Sequence, residues 1–188
     1  MTFFKLSMAA ALLTAIAAPA LANNSDDAFN SFKTVCGGTA AEYADVVAAS
    51  QSDGWKVTPV LGTNAMPGVS VTDKAARSKS VSESALMLFA SRGLAQISGS
   101  AYTVSTCTVS SDRGDLPTLT ARAQGWLGFA PHGTTSDSAT FRFTMAGGAP
   151  TAVADGDINA AAAAAGLETL TIKRTGSKLT LDLVKFKK

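Results

Sequence analysis

His132 is the only histidine in the chain, and histidine is the side chain most often used as a general base near neutral pH. It follows Pro131 in a polar stretch that also contains Ser136 and Asp137. A hydrolase needs a nucleophile, a base and a group that orients the base, and all three residue types occur here. Loops are rich in serine and aspartate because these residues favour turns. The sequence therefore favours an exposed loop histidine over a catalytic one.

Cys36 and Cys107 are the only cysteines. A free Cys36 could act as a nucleophile with His132, but that requires a thiol of lowered pKa, and no local cysteine-protease signature surrounds it. The leader described below routes the chain to an oxidising compartment, where an even number of cysteines indicates a disulfide. We predict a Cys36–Cys107 disulfide.

The acidic segment 155–159 resembles the start of a calcium-binding loop, with oxygen ligands at alternate positions. The sixth position is Ala160 instead of glycine, and the twelfth is Gly166 instead of glutamate, so a turn followed by a helix cap is the better interpretation. A single histidine and two paired cysteines leave no closed zinc site. No phosphate loop, dinucleotide fingerprint or nucleophile elbow occurs. We predict no metal, no cofactor and no catalytic residue.

Trp55 and Trp126 could line a pocket for a sugar or an aromatic ligand, although large residues at helix ends more often serve as core packing. Cys36 precedes Trp55 by 19 residues, and Cys107 precedes Trp126 by the same interval. This spacing suggests a degenerate internal duplication, although two matched pairs can also arise by chance. Together with His132, the two tryptophans are the candidate pocket residues.

Residues 1–22 have the three regions of a secretory signal peptide. Lys5 gives the start a positive charge, the following apolar stretch is too short for the about 20 residues that span a bilayer, and a helix-breaking Pro19 precedes small residues. Cleavage after Ala22 would leave a mature domain, 23–188, that starts at Asn23 and contains no transmembrane segment. An uncleaved membrane anchor is the alternative. We expect a periplasmic or secreted protein.

The full chain carries sixteen basic and fourteen acidic side chains, and the leader removes one of the basic ones. A near-neutral mature domain lacks the clustered positive charge of a nucleic-acid-binding protein, so we expect no nucleic-acid partner. The basic run 185–188 is the local exception. It is interpreted as the end of an edge strand that its lysines keep soluble.

Hydrophobic periodicity and cap residues predict helices that begin at Ser25, Thr39, Asp115 and Ile158. The second of these would begin with a capping box between Thr39 and Glu42. Strands are predicted over 55–61, 94–97, 102–109 and 139–146, and a hairpin over 170–183 turns at 175–177. The segment 85–89 is a strand or, alternatively, part of a helix from Ser82. Residues 62–80 are predicted to be a loop, and 91–93 a turn.

These elements predict one α+β domain with an antiparallel sheet of about five strands and two or three helices packed mainly on one face. The apolar sides of 141–145 and 179–183 would meet the helices. An exported domain that has a disulfide and no catalytic motif indicates a non-catalytic binding or interaction module. Its partner would be an unknown protein or small molecule. The alternatives are an exported hydrolase with a site around His132, and an envelope-surface protein that uses its basic C-terminal hairpin.

Overall fold

The computed structural model describes residues 19–60, 68–97, 99–145, 148–164 and 166–188, with side chains from Asn24 onward. The predicted leader lies mostly outside these residues and stays a prediction. The helices are α1 (Pro19–Phe32), α2 (Tyr43–Ser52), α3 (Leu116–Leu127) and α4 (Ile158–Ala164). A π-helical turn, Lys33–Gly37, continues α1, and a 3-10 turn, Asp155–Asp157, precedes α4.

Nine strands form one antiparallel sheet in the described part of the chain. The strands are β1 (Lys56–Thr58), β2 (Val69–Val81), β3 (Ser84–Ile97), β4 (Ser100–Ser111), β5 (Gly133–Thr134), β6 (Ser138–Thr144), β7 (Thr151–Ala152), β8 (Leu167–Thr175) and β9 (Lys178–Lys187). Their order is β1-β2-β3-β4-β9-β8-β6-β5, and β7 pairs with β6. The chain is thus mixed α+β, as the sequence indicates, and the C-terminal strand lies in the middle of the sheet.

The expectation of about five strands is wrong, chiefly because residues 69–80 of the predicted loop 62–80 form a strand, while 62–67 lie outside the described residues. Most of that segment belongs to β2, whose side chains are mainly polar and exposed. The strand is held by its hydrogen-bonded ladder with β3. Its sequence lacks the apolar alternation that marks a half-buried strand. The predicted turn at 91–93 is also wrong, because β3 runs straight through Gly93 and remains paired with β4 as far as Ile97.

The two faces of the sheet differ sharply in chemistry. The first face is defined by the cross-strand row Ala90, Cys107, Leu183, Leu170 and Phe141, all of which are buried in the main core. The next row, displaced by one residue along each strand, is Phe89, Thr108, Asp182 and Thr171, and it defines the second face. A period of two along each strand produces this division.

Helices α1, α2 and α3 cover the first face. Phe32 of α1, Val46 of α2 and Leu119 of α3 are fully buried in the same cluster as Phe143 and Leu181 from the sheet. The predicted contact between the apolar sides of 141–145 and 179–183 and the helices is therefore confirmed. Fully burying a side chain of this size contributes roughly 1.5–3 kcal/mol, so this layer supplies most of the hydrophobic stabilisation.

Helix α4 lies on the second face, so the prediction that the helices pack mainly on one face is wrong. Ala162 is buried in a separate cluster with Tyr102 and Leu167, and Phe186 packs against them. The strand register places these three sheet residues on the second face. An alanine-rich helix has too little side-chain bulk to reveal from sequence which face of a sheet it covers.

Two predicted helix starts are corrected by the structure. Thr39 does not form a capping box, because its hydroxyl donates to the Val35 carbonyl oxygen at 2.7 Å and Glu42 itself precedes α2 without a side-chain cap. Ser25 lies inside α1, and its hydroxyl accepts the Asp115 N–H at 2.8 Å.

The predicted start and end of α3 are confirmed. The Asp115 carboxylate accepts the Thr118 N–H at 2.9 Å, and Gly128 adopts the left-handed conformation that ends many helices. The predicted hairpin of β8 and β9 is present with the expected turn, and the ambiguous segment 85–89 is a strand.

The predicted Cys36–Cys107 disulfide is present and fully buried. It joins the π-helical turn after α1 to β4 in the middle of the sheet. The spacing match with Trp55 and Trp126 does not extend to structure, because Cys36 lies in a helical turn and Cys107 in a strand. The two cysteines instead form a single covalent bond between the helical layer and the sheet.

A bulge and a glycine bend the β2–β3 hairpin. The register shifts between Val71 and Asp73, and opposite this point a Cβ on Gly93 would lie 2.5 Å from the Ser70 carbonyl oxygen. Only a residue without a Cβ permits this approach, and bulges increase the local bend and twist of a strand.

Replacing Gly93 with alanine is expected to lower the free energy of unfolding by roughly 1–3 kcal/mol, because the Cβ would displace the Ser70 backbone. Gly125→Ala is the matched control: the site in α3 is open, so alanine should be neutral or stabilise by about 0.5–1 kcal/mol. Urea unfolding of both variants provides the measurement. Equal stability of Gly93→Ala and the wild type would disprove the close approach.

The mass of the protein recovered from the envelope or medium of its host is expected to equal that of residues 23–188 less two hydrogens. Alkylation without reductant should add nothing, since both sulfurs are bonded and buried. Replacing Cys36 and Cys107 with alanine should cost about 4 kcal/mol of stability, because the bond closes a long loop of the unfolded chain. Alkylation of either cysteine in the unreduced protein would contradict the bond.

A candidate binding groove on the second face

Trp55, a predicted pocket residue, lies in the main core. Its side chain is 4% exposed, and its indole N–H donates to the Asp53 carboxylate at 3.0 Å. A buried tryptophan with a satisfied N–H has the role of a packing residue at the end of α2. It offers no surface to a ligand.

Trp126 and His132 are joined through a cluster of aromatic rings. Trp126 packs edge-to-face on Phe143, whose ring lies 6.4 Å from that of Phe129, and the Phe129 ring contacts His132 at 6.0 Å. No ring contact links this cluster to Trp55 in the described ranges. The structure thus brings two of the three predicted residues into one cluster, on the side of the first face.

Trp126 also borders a shallow hollow of about 340 Å³ between α1 and α3. Phe29, Lys33 and Arg122 form other parts of its wall. One face of the indole is occupied by packing, since a Cβ on Gly37 would lie 2.9 Å from the ring. The ring therefore serves mainly to hold the two helices together.

His132 is exposed in the loop before β5. Its Nδ1 accepts the backbone N–H of Arg142 at 3.2 Å, and the backbone N–H of His132 donates to the Thr140 carbonyl oxygen at 2.8 Å. The Ser136 hydroxyl instead donates to Asp137 at 2.9 Å. The described side chains show no hydrogen bond that links the imidazole to a serine or a carboxylate.

A larger groove lies on the second face of the sheet and was not anticipated from the sequence. It has a volume of about 480 Å³, within the usual range for small-molecule sites. Strands β2, β3, β4, β8 and β9 form its floor, and the segment that follows β1 forms one wall through Pro59 and Val60. Since neighbouring strands are about 4.8 Å apart, the floor is about 19 Å wide.

The chemistry of the groove changes from one side to the other. Met87 and Phe89 of β3 give the β1 side an apolar surface, and Met87 is 43% exposed. Strand β4 contributes hydroxyl groups in the middle, for example that of Ser110. Lys173 of β8 and Lys178 of β9 place two ammonium groups on the far side.

Asp182 is the carboxyl group on the groove floor. One of its oxygens accepts the Thr108 hydroxyl at 2.6 Å across the β4–β9 ladder. Burial raises the pKa of Asp182 above its usual value, and the hydrogen bond from Thr108 opposes part of that rise. The hydrogen bond fixes the carboxyl group against the floor.

A second group of charges lies on the first face, at the far ends of β8 and β9. Glu168 is 3% exposed and is paired in register with Lys185, whose ammonium group contacts the Glu42 carboxylate at 2.9 Å. Burial raises the pKa of Glu168 to about 7, against the opposing attraction of Lys185, while the charge of Glu42 adds to the rise. Lys185 is engaged with carboxylates in a central strand, so the interpretation of 185–188 as a solubilising edge is wrong.

The sequence contains one signal that bears on the groove. Polar residues alternate with the buried leucines in β8 and β9, and this pattern usually indicates a solvent-facing side. What the pattern could not show is that strands distant in sequence, β3, β4 and β9, are neighbours. That pairing puts Met87 on the same floor as Lys173.

Comparison with known proteins finds no matching family model, no matching curated protein and no matching solved structure. Among the described helices, none has the length and apolar character needed to cross a membrane. No cluster of three or more potential metal ligands occurs in the part of the chain that was described. The groove on the second face is the larger of the two hollows described above.

Glu168 should make stability depend on pH. Since its pKa is about 7 in the folded protein and near 4.5 when unfolded, the folded state binds the proton more tightly. The free energy of unfolding should therefore fall as pH rises from about 4.5 to above 7, by up to about 3 kcal/mol from this residue.

Glu168→Gln is expected to remove this component, because glutamine cannot ionise. The control Glu83→Gln replaces a glutamate whose side chain is 76% exposed, and it should leave the pH profile unchanged. Urea unfolding between pH 4 and 8 compares the three proteins. Parallel profiles for the wild type and Glu168→Gln would show that Glu168 is not the source.

Proposed function

We propose that this chain is an exported, non-catalytic module that binds a ligand in the groove on the second face of the sheet. The observation that carries the proposal is the groove itself: a concave surface of about 480 Å³ that α1, α2 and α3 leave uncovered. Its mixture of apolar side chains, hydroxyls and a few charges is the usual composition of a small-molecule site.

The residues of the groove are suited to binding. Hydroxyls such as those of Thr171 and Thr180 can donate and accept hydrogen bonds, and Phe89 offers an aromatic surface. The carboxyl group of Asp182 is held by Thr108. This combination can orient a ligand through hydrogen bonds and apolar contact.

The buried disulfide supports the exported part of the proposal. Disulfides persist in the periplasm and outside the cell but are rare in the reducing cytosol. The Cys36–Cys107 bond joins the helical layer to the sheet and so stabilises the scaffold that forms the groove. The predicted leader before Asn23 would provide a route to such a compartment.

Neither alternative function has comparable structural support. A hydrolase around His132 would need a nucleophile near the imidazole, whereas in the described structure Nδ1 accepts the backbone N–H of Arg142. An envelope-surface role would use the basic C-terminal hairpin, but Lys185 in it contacts Glu42, and its cations Lys173 and Lys178, unpaired among the described residues, border the groove.

Two-dimensional NMR with a mixed panel of neutral, cationic and anionic fragments tests the groove. At least one fragment is expected to shift the amide signals of Thr108, Thr171 and Thr180, which line the floor. Thr180→Trp should abolish these shifts, because the indole would fill the space above the floor.

Thr103→Trp is the matched control, since Thr103 is a half-buried strand residue on the first face. It should leave fragment binding unchanged. The proposal fails if no groove amide responds to any fragment, or if the two tryptophan variants weaken binding equally.

A further inference from the structure

We infer that the ligand of this groove is an elongated anionic amphiphile, with its negative group at Lys173 and Lys178 and its apolar end at Met87 and Phe89. The inference rests on the proposed function and specifies its ligand class. It is drawn from three features of the groove: free cations on one side, exposed apolar surface on the other, and the distance between them.

The two lysines are available to a ligand. Both are exposed, and no ion pair of the described residues involves either of them. Seven other cations of the described residues do form ion pairs, for instance Lys79 with Asp53 and Arg92 with Asp73. Two unpaired ammonium groups that border one groove create a local positive potential that favours an anion.

The opposite side of the groove has apolar surface that solvent still reaches. Met87 is 43% exposed, and Phe89, Pro59 and Val60 line the same region. Covering such surface lowers the free energy because it removes apolar area from water, and methionine adapts easily to the shape of a ligand. An aliphatic or aromatic tail would gain this energy.

The strand register gives the length of the ligand. Met87 pairs with Ser110, Ser110 with Thr180, and Thr180 with Lys173. Three steps of about 4.8 Å separate the apolar residue from the lysine by about 14 Å. The two residues between them carry hydroxyls, which suit the polar part of a chain and carry no charge to attract a cation.

Asp182 opposes an anion, and its position limits that effect. It lies in the adjacent cross-strand row, between Thr108 and Thr171, and the Thr108 hydroxyl already donates to it at 2.6 Å. Lys173 and Lys178 outnumber it along the same side of the groove. Asp182→Asn should therefore strengthen the binding of an anionic ligand, which distinguishes this ligand class from a cationic one.

Decanoate is the test probe, because it combines a carboxylate with an apolar chain of suitable length. NMR titration at low salt should show decanoate shifting the groove amides at lower concentrations than butyrate, which lacks the tail, or decyltrimethylammonium, which reverses the charge. The binding should weaken with salt, as expected for exposed charges.

Variants test each side of the groove separately. The double change Lys173→Gln and Lys178→Gln should weaken decanoate binding by about fivefold, while Lys187→Gln, an exposed lysine of β9 outside the groove, should not. Met87→Ser should also weaken it by about fivefold, and its control is Leu94→Ser, since Leu94 is 54% exposed on the first face. Asp182→Asn should strengthen it.

The outcomes separate this inference from the proposed function. Tighter binding of decyltrimethylammonium or of a neutral fragment in the groove would overturn the ligand class and leave a binding module in place. Unchanged decanoate affinity in both the lysine and the methionine variants would likewise overturn it. A groove that responds to no probe or fragment would overturn both.

Discussion

The buried bond between Cys36 and Cys107 ties the two layers of this protein together. Cys107 lies in β4, a strand flanked by β3 and β9 in the middle of the sheet, and Cys36 lies in the turn that joins α1 to α2. The bond therefore holds the helical layer against one particular face. Phe32, Leu119 and the facing side chains of β6 and β9 complete the same layer by burial. The groove on the second face stays open because α1, α2 and α3 are held on the first.

Because three helices occupy the first face, the second is free to carry polar groups. The alternation along β9 shows the result, since Leu181 and Leu183 are buried while Asp182 between them lies on the groove floor. Antiparallel sheets with one covered face commonly have this division. Here the second face is itself divided, because α4 covers the apolar end near Tyr102 and the rest remains open. One sheet thus provides both the core and the candidate site.

Much of the local structure could be predicted from the sequence. The cap and end of α3 follow from the short-range signals Asp115 and Gly128, and the β8–β9 hairpin follows from its alternating pattern. The disulfide follows from an even number of cysteines. The size of the sheet could not, since β2 is held by pairing with β3 rather than by burial. The groove could not either, because it depends on which distant strands are neighbours. Trp55 and His132 are candidate pocket residues because of their residue type alone. The groove depends instead on a combination of common residues, namely threonines, lysines and a methionine.

The bulge in β2 has a consequence for the behaviour of the protein in concentrated solution. β1 pairs with Ala76, Arg77 and Ser78, and in the described part of the chain no strand pairs with the outer side of β2 from Val69 to Ala75. Such margins invite another chain to add a strand and start a fibril. The register shift after Val71 interrupts the regular spacing of those groups, and Asp73 and Lys74 place charges beside it. The same irregularity that shifts the register of the hairpin therefore makes this margin a poorer template for an added strand.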